Sequence, residues 1–296
     1  MIPIRRRKSI ARKQGDTEKP VPLSVSPCLR AGPAVPGVER RRRFGRWAAI
    51  ALALVSGACH NARIPARPGE RGPARVLPVW EMPARRGSEE GKVLAVVLTG
   101  DAPLSGLGDR LGRDLARAGV PSAVWSSFRY YLQPRTPDEA AADLDRVIRH
   151  YREKWGGDRV VLVGYSMGAD VLPFLVNRLP PHTRSHVAAV ALVALAGDAV
   201  FEFHPRQWWG RSPVTAYATR PEVARMAAAL PVTCVWGRGD PLTACPGFAD
   251  LPITVVELGG GHHFKSNQHK LSRLVVDLAR AAGDSAAADS AEAARR

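Results

Sequence analysis

The chain has 296 residues, of which 45% are hydrophobic and 24% charged, and this composition argues against both a mainly disordered protein and a polytopic membrane protein. Its net charge of +16 is concentrated at the front, because residues 1–75 hold 17 Lys and Arg against 4 Asp and Glu, whereas residues 76–296 hold 26 against 23. The nearly neutral body disfavours nucleic acid as a partner. We therefore expect one domain of enzyme size behind a basic leader.

Residues 40–58 have the three parts of an export signal. Four arginines occupy 40–43, an apolar run follows at 47–55, and the small residues 56–58 offer a cleavage site. The apolar run is far shorter than the roughly 20 residues that a membrane-spanning helix needs. We expect this signal to direct the protein to the periplasm without leaving a permanent transmembrane segment.

Cleavage after Ala58 would make Cys59 the first mature residue, which resembles a bacterial lipoprotein signal whose cysteine is acylated. Soluble export and twin-arginine export, through the arginines before Phe44, are the alternatives. Residues 1–39 are expected to be disordered or to reflect a mis-assigned start, and residues 59–75 to form a Pro/Arg/Gly linker.

From residue 92 onward, short apolar segments alternate with amphipathic ones. The predicted strands are 92–99, 121–125, 159–163, 187–194, 232–236 and 253–257, and the predicted helices are 107–118, 137–155, 169–179, 221–229 and 269–282. Strands that are apolar throughout and joined by helices indicate a doubly wound α/β domain over 76–283, with a mostly parallel sheet and helices on both faces. The tail 284–296 is expected to be frayed. Neither GxGxxG nor a Walker A pattern is present, so no nucleotide cofactor is expected.

The segment 164–168 reads GYSMG, a GxSxG pattern between a predicted strand and a predicted helix. In that context a tight turn presents the serine hydroxyl at the carboxyl edge of the sheet, and the two glycines allow strand and helix to approach. Ser166 is therefore predicted to be a nucleophile rather than part of an ordinary turn. The Met167 N–H, at the start of the helix, would face a developing oxyanion.

A serine nucleophile needs a base and an acid that orients the base. In the α/β-hydrolase order Ser, Asp, His, the acid follows a later strand and the histidine follows the last one. Asp240 follows strand 232–236, although it could simply cap the turn before Pro241. Either His262 or His263 would be the base; we favour His262 because it directly follows the glycines that let the loop bend, and the other histidine would line the pocket.

Two further features surround this predicted triad. The second oxyanion donor would be the Asp101 N–H after the first strand of the body, and the Asp101 carboxylate could also cap the helix that begins near Gly106. In an exported protein, Cys234 and Cys245 are predicted to form a disulfide, the alternative being two buried thiols. No CxxC or HxxxH spacing accompanies them, so no metal is expected.

Several segments together resemble the bacterial virulence protein family AcvB/VirJ. They are LTGD at 98–101, SSFRYYLQPRTPDEAAADL at 126–144, GYSMGADVLPFLVNRLP at 164–180, the stretch from Trp236 through Asp240 to Cys245-Pro246, and GGHHF at 260–264. The resemblance implies an α/β hydrolase of the bacterial envelope that hydrolyses aminoacylated phosphatidylglycerol, notably the lysyl form, at the membrane surface. It also implies a link to secretion-system proteins. The chain departs from the family at 102–104, where APL replaces a Gly-Gly-Trp-like turn.

If the substrate is such a lipid, Arg129 with its neighbour Tyr130 could bind the lipid phosphate. An ion pair with a nearby carboxylate explains Arg129 equally well. Asp170 could meet the cationic lysyl group, or could be a solvated or structurally buried residue of its helix. The alternatives for the whole protein are a general carboxylesterase or thioesterase, and a secretion partner in which the site is not used for catalysis.

Overall fold

The structure is a computed structural model that describes residues 61–64, 75–84, 93–101, 106–203 and 215–293, with side chains as far as residue 284. All of these residues belong to one unit of the chain, Ile50–Arg296. The predicted start at 1–39, the export signal at 40–58 and Cys59 lie outside the described residues, so they stay predictions. No described helix has both the length and the apolar character that crossing a bilayer requires.

Eleven strands and seven α-helices can be traced in the described residues. The strands are β1 (Ala62–Ile64), β2 (Arg75–Leu77), β3 (Val79–Met82), β4 (Val93–Leu98), β5 (Ser122–Trp125), β6 (Arg159–Tyr165), β7 (Val187–Val193), β8 (Asp198–Ala199), β9 (Tyr217–Ala218), β10 (Val232–Arg238) and β11 (Thr254–Gly259). The helices are α1 (Leu107–Arg117), α2 (Ser127–Tyr130), α3 (Pro137–Trp155), α4 (Met167–Asn177), α5 (Pro181–Arg184), α6 (Thr219–Ala227) and α7 (Gln268–Ala293), and a 3₁₀ helix covers Cys245–Phe248.

Seven strands form one sheet in the order β11-β10-β7-β6-β4-β5-β3. Every neighbouring pair is parallel except β3 and β5, so only the edge strand β3 is antiparallel. Helices alternate with the parallel strands along the chain. The predicted α/β-hydrolase class, a mostly parallel sheet with helices on both faces, is confirmed.

Two hydrophobic cores explain why the central strands are apolar at every position. In β4, Leu94 and Val96 point into the first core, which also contains residues of α3, α4 and α6. Ala95 and Val97, one position along, point into the second core, which contains residues of α1 and α7. Because side chains of a strand alternate between its two faces, a sheet that is covered on both faces needs continuous apolar sequence.

The longest predicted helix in the body, α3, has strong start and stop signals. The Thr136 side chain accepts from the Glu139 N–H, the Glu139 carboxylate accepts from the Thr136 N–H, and Pro137 occupies the first turn. Gly156 ends the helix in the left-handed conformation, with φ of 72°. This reciprocal cap and glycine stop account for the match between predicted and observed bounds.

Several parts of the chain differ from the prediction. β1 pairs antiparallel with β2 within and beside the predicted linker 59–75, and β3 extends the sheet. These strands have only three or four residues, too few for a periodic pattern. α7 continues to Ala293 instead of fraying after Gly283, because the alanine-rich tail has high helix propensity and contains no proline.

A buried carboxylate ties β2, α2 and α3 together. Asp143 is 1% exposed and accepts hydrogen bonds from the Arg75 guanidinium and from the Tyr130 hydroxyl, each at 2.8 Å. Burial, and then the negative charge of Asp143, raise the pKa of Tyr130 above its ordinary value. Tyr130 therefore remains a hydroxyl donor within the core.

We expect Tyr130→Phe to lower the free energy of unfolding by about 2 kcal/mol, because a buried carboxylate loses one of its donors. Urea unfolding followed by circular dichroism measures this loss. Tyr217→Phe is the matched control, since Tyr217 is 40% exposed and should change stability by less than about 0.5 kcal/mol. Equal stabilities of the Tyr130 variant and the wild type would show that the hydroxyl contributes nothing to the fold.

Candidate active site

Ser166 lies between β6 and α4, at the carboxyl edge of the sheet. Its backbone has φ of 52° and ψ of −125°, an unusual conformation for a residue with a side chain. The Ser166 N–H donates to the Val193 carbonyl of the neighbouring strand at 2.9 Å. This hydrogen bond and the following helix hold the strained turn that directs the side chain out of the sheet.

The glycines on either side of Ser166 are required by close backbone contacts. A Cβ on Gly164 would lie 2.5 Å from the Gly168 carbonyl oxygen, and a Cβ on Gly168 would lie 2.4 Å from the Leu98 carbonyl oxygen. Real Cβ atoms essentially never approach so closely. The GxSxG spacing thus reflects the packing of α4 directly against β4 and β6.

The structure brings Ser166, His262 and Asp240 into one chain of hydrogen bonds. Nδ1 of His262 lies 2.8 Å from Oδ2 of Asp240, and Nε2 of His262 lies 3.0 Å from Oγ of Ser166. Because a carboxylate can only accept, Nδ1 carries the proton, and Nε2 is left to accept from the serine hydroxyl. Asp240 is 7% exposed, and its other oxygen accepts from the Leu242 N–H at 3.0 Å, so it also caps its own turn.

The loop after β11 separates the two candidate histidines. Gly260 and Gly261 have positive φ of 103° and 61°, which folds the loop back over β10 and places His262 above Ser166. His263 points away from the serine, and its Nδ1 lies 2.8 Å from the Tyr165 hydroxyl. Only His262 has the contacts of a general base.

Ser166 opens into a small cavity of about 160 Å³, whose described lining includes Asp101, Met167, Asp170, Leu242 and His262. The Met167 N–H is among the first of α4, where no intrahelical acceptor exists. Gly100 lies beside the nucleophile, since its Cβ position is 3.3 Å from Cβ of Ser166. The predicted oxyanion donors, Met167 and Asp101, therefore both border the cavity.

Comparison with known proteins assigns the family. A family model described as bacterial virulence protein (VirJ) matches residues 92–282, which is more than half of the chain and includes the whole site. The chain belongs to this VirJ family. Its α/β-hydrolase fold agrees with that membership.

Other similarities of this VirJ family member are more distant. Carboxylesterase Culp1 of Mycobacterium tuberculosis is 36% identical over 75 residues, which are 25% of this chain and 31% of that protein. Est1E from Butyrivibrio proteoclasticus superposes with a TM-score of 0.54 at 12% identity, covering 75% of this chain and 98% of Est1E. An esterase domain from a Rhodothermus marinus protein gives a TM-score of 0.50 at 14% identity, over 76% and 97% of the two chains. These two structures share the fold.

Asp170 is the second carboxylate in the described lining of the cavity, one helical turn after Ser166. Its Oδ1 accepts from the Ala196 N–H at 2.7 Å. Burial raises the pKa of the Asp170 carboxyl well above its ordinary value; the hydrogen bond from Ala196 opposes this rise, whereas the negative charges of Asp101, Asp240 and Asp198 add to it. The described lining of the cavity contains two carboxyl groups and no Lys or Arg side chain.

A disulfide joins Cys234 of β10 to Cys245 of the 3₁₀ helix, with their Cα atoms 5.7 Å apart. Both cysteines are fully buried. The closed loop contains Asp240, so this bond ties the partner of His262 to the central sheet. Among the described residues no cluster of three or more His, Cys, Asp or Glu side chains could hold a metal ion.

The two residues predicted to bind phosphate do not share one environment. Tyr130 is 4% exposed and bonded to Asp143, so no surface of it is left for a substrate, and the prediction for Tyr130 is corrected to a packing role. Arg129 lies in the short helix α2 and is partly exposed. It is not among the described residues that line the cavity, and its binding of phosphate stays a prediction.

Sequence reasoning missed the role of Tyr165, the residue between Gly164 and Ser166 in the GxSxG pattern. It is 1% exposed and packs in the second core with Val163, and its hydroxyl holds His263. The signal was the two-residue alternation of β6, which places Val163 and Tyr165 on one face. The contact with His263 could not be predicted, because it depends on how the loop after β11 folds.

Reduction of the Cys234–Cys245 bond should lower the free energy of unfolding by about 3 kcal/mol, as expected for a short closed loop. Urea unfolding with and without reductant gives the difference. The control is the Cys234→Ala/Cys245→Ala double variant, which should not respond to reductant. Equal unfolding of the wild type under both conditions would exclude a stabilising bond.

The two histidines are expected to differ sharply in the reactivity that they give Ser166. His262→Ala should abolish labelling of Ser166 by a fluorophosphonate probe, because the hydroxyl loses its proton acceptor. His263→Ala should retain most of the labelling, since its ring contacts Tyr165 and not the serine. Mass spectrometry of the labelled peptide measures both, and the reverse order would transfer the base to His263.

Proposed function

We propose that the protein is a serine ester hydrolase that removes the aminoacyl group from aminoacylated phosphatidylglycerol at the membrane surface. The observation that carries this proposal is the pairing of two features in one cavity. Ser166 there is hydrogen-bonded to His262, which is in turn hydrogen-bonded to Asp240, and the wall beside the serine carries the carboxyl groups of Asp101 and Asp170. The first feature supports ester chemistry, and the second supports a cationic acyl group.

In the first half of the reaction Oγ of Ser166 attacks the ester carbonyl carbon, and the hydroxyl proton passes to Nε2 of His262. Asp240 stabilises the imidazolium through Nδ1–H. The carbonyl oxygen becomes an oxyanion that accepts from the N–H groups of Met167 and Asp101. When the tetrahedral intermediate collapses, the C–O bond to the lipid glycerol breaks, and the departing oxygen takes the proton from Nε2.

The second half releases the amino acid. Water gives one proton to Nε2 of His262 and attacks the carbonyl carbon of the acyl-serine. The same two N–H groups bind the oxyanion that forms. Collapse breaks the bond to Oγ of Ser166, which recovers its proton from Nε2, and the products are the free amino acid and phosphatidylglycerol.

The acidic wall distinguishes an aminoacyl ester from a neutral one. The α-ammonium of an aminoacyl ester is attached to the carbon next to the carbonyl, so it must lie close to whatever surrounds the oxyanion donors. A buried carboxyl without a cation is costly, and burial already raises the pKa of Asp170. An ammonium group in the cavity would offset the cost of burying the Asp170 carboxylate. A neutral ester has no such group and would not offset it.

The size of the cavity supports entry of one end of the lipid only. Its volume of about 160 Å³ is well below the roughly 300–1,000 Å³ of pockets that enclose drug-sized ligands. A space of this size suits the aminoacyl end, with the glycerol phosphate and acyl chains outside, where Leu242 is 64% exposed beside the opening. Membership of the VirJ family and the partial match to a carboxylesterase support the same reaction class.

Asp170→Asn should lower kcat/KM for alanyl- or lysyl-phosphatidylglycerol by about tenfold to a hundredfold, the value of a hydrogen bond to a charged group. It should lower kcat/KM for a neutral soluble ester such as p-nitrophenyl acetate much less. Release of the amino acid is followed by mass spectrometry, with Ser166→Ala as the inactive control. Equal losses on both substrates would favour a general carboxylesterase, and release by Ser166→Ala would exclude the serine mechanism.

Thermal unfolding shows whether Asp170→Asn still folds. The shifted pKa of Asp170 also fixes whether the substitution raises or lowers the melting temperature. Because the pKa of Asp170 is raised in the folded state, its ionisation costs stability above the ordinary carboxyl pKa, and the cost disappears below it. The Asn variant should melt higher than the wild type at neutral pH. The difference in melting temperature between the variant and the wild type should shrink as the pH falls toward about 4. A variant that is more stable yet less active on aminoacyl lipid would separate binding from folding.

A further inference from the structure

A groove of about 690 Å³ opens beside the candidate active site and is separate from its cavity. It runs between α1 and the turn that begins α7, and its described lining includes Arg110, Arg113, Arg117, Asp114 and Lys265. His263 also lines it, whereas the neighbouring His262 lines the serine cavity. The two openings therefore meet at consecutive residues of one loop.

The charge of this groove is one-sided. Arg110, Arg113 and Arg117 follow one another at the spacing of one helix face, opposite the buried leucines of α1. Asp114 is the one acidic residue in the described lining; it pairs with Arg117 at 2.8 Å and with Arg110 at 3.6 Å. Three net positive charges remain when Lys265 is included.

Two of the cations in the described lining are held by no carboxylate of the described residues. Within the part of the chain that the structure describes, neither Arg113 nor Lys265 forms an ion pair, and both are exposed. The body as a whole is nearly neutral, and cations elsewhere in the described residues are paired with carboxylates, as Arg238 is with Glu257 and Lys154 with Glu81. The groove therefore has a local excess of exposed positive charge on a body that is nearly neutral overall.

We propose that this groove, formed by the arginine face of α1 and Lys265, docks on the anionic phospholipid headgroups of a bilayer. From Arg110 to Arg117 the cations extend about 10 Å along the helix, which is more than one phosphate group can contact. They are exposed, as an electrostatic contact with a surface requires, and are not gathered around one buried point. The inference goes beyond the proposed function, because the contact would form whether or not the lipids carry an ester that the enzyme cleaves.

Docking of this groove would place the serine cavity at the membrane surface. Each exposed Lys or Arg near an anionic bilayer contributes about fivefold to binding, and salt weakens the contribution. Because the groove and the cavity share the loop that carries His262 and His263, a headgroup held in the groove lies next to the reacting centre.

The test is a chemical footprint, because the leader is itself basic and would hide a local contact in a simple binding assay. The acetylation rate of Lys265 in the full chain is measured by mass spectrometry with phosphatidylglycerol vesicles, phosphatidylcholine vesicles or soluble glycerol phosphate. Lys154 reports on the opposite edge of the sheet, where α3 ends before β6 begins. We expect phosphatidylglycerol vesicles alone to slow acetylation of Lys265 and to leave Lys154 unchanged.

The variant is Arg113→Gln/Arg117→Gln, and its matched control is Arg184→Gln/Arg280→Gln, which removes two charges near the opposite edge of the sheet. The groove variant should need at least about fivefold more lipid for half-protection of Lys265, and the control should behave like the wild type. Both should retain the wild-type melting temperature and soluble-ester activity, which excludes misfolding.

The proposal would be overturned by unchanged protection in the groove variant, by no protection of the wild type, or by equal protection from glycerol phosphate, which would indicate a discrete anion site. Protection by an oligonucleotide but not by vesicles would assign the groove to another polyanion and would overturn it too. The vesicles contain no aminoacyl ester, so none of these results depends on the hydrolase activity, and a failure of that activity leaves the footprint readable.

Discussion

The close contact between α4 and the two central strands is the constraint on which the site depends. Gly168 lies against the Leu98 carbonyl and Gly164 against the backbone of α4, at distances that leave no room for a side chain. This contact forces the positive φ of Ser166 and lifts its hydroxyl above the sheet. The sheet in turn places the loops after β10 and β11 side by side, because these strands are parallel neighbours. Asp240 and His262 can then reach the serine from two separate loops.

Much of this arrangement could be predicted because it depends on local pattern. The alternation of apolar strands and amphipathic helices predicts the layered sheet, GxSxG predicts the turn, and the chain order predicts the acid and the base. Tyr130 was misread because its sequence position after a strand resembles that of a binding residue. Only the packed structure shows Asp143, from the next helix, as its partner. The short strands β1 and β3 were missed because three or four residues carry no usable period.

The described lining of the cavity has acidic side chains and that of the groove mainly basic ones, and the two openings lie next to each other. Asp101 and Asp170 line the first; Arg110, Arg113 and Lys265 line the second. An aminoacylated phosphatidylglycerol has the matching asymmetry, with an ammonium group at the end that is cleaved and a phosphate on the side that remains in the membrane. If it bound in reverse, both of its charges would face groups of like sign. Charge would then fix the orientation of the ester before any covalent step, and it would require no pocket large enough to enclose the lipid.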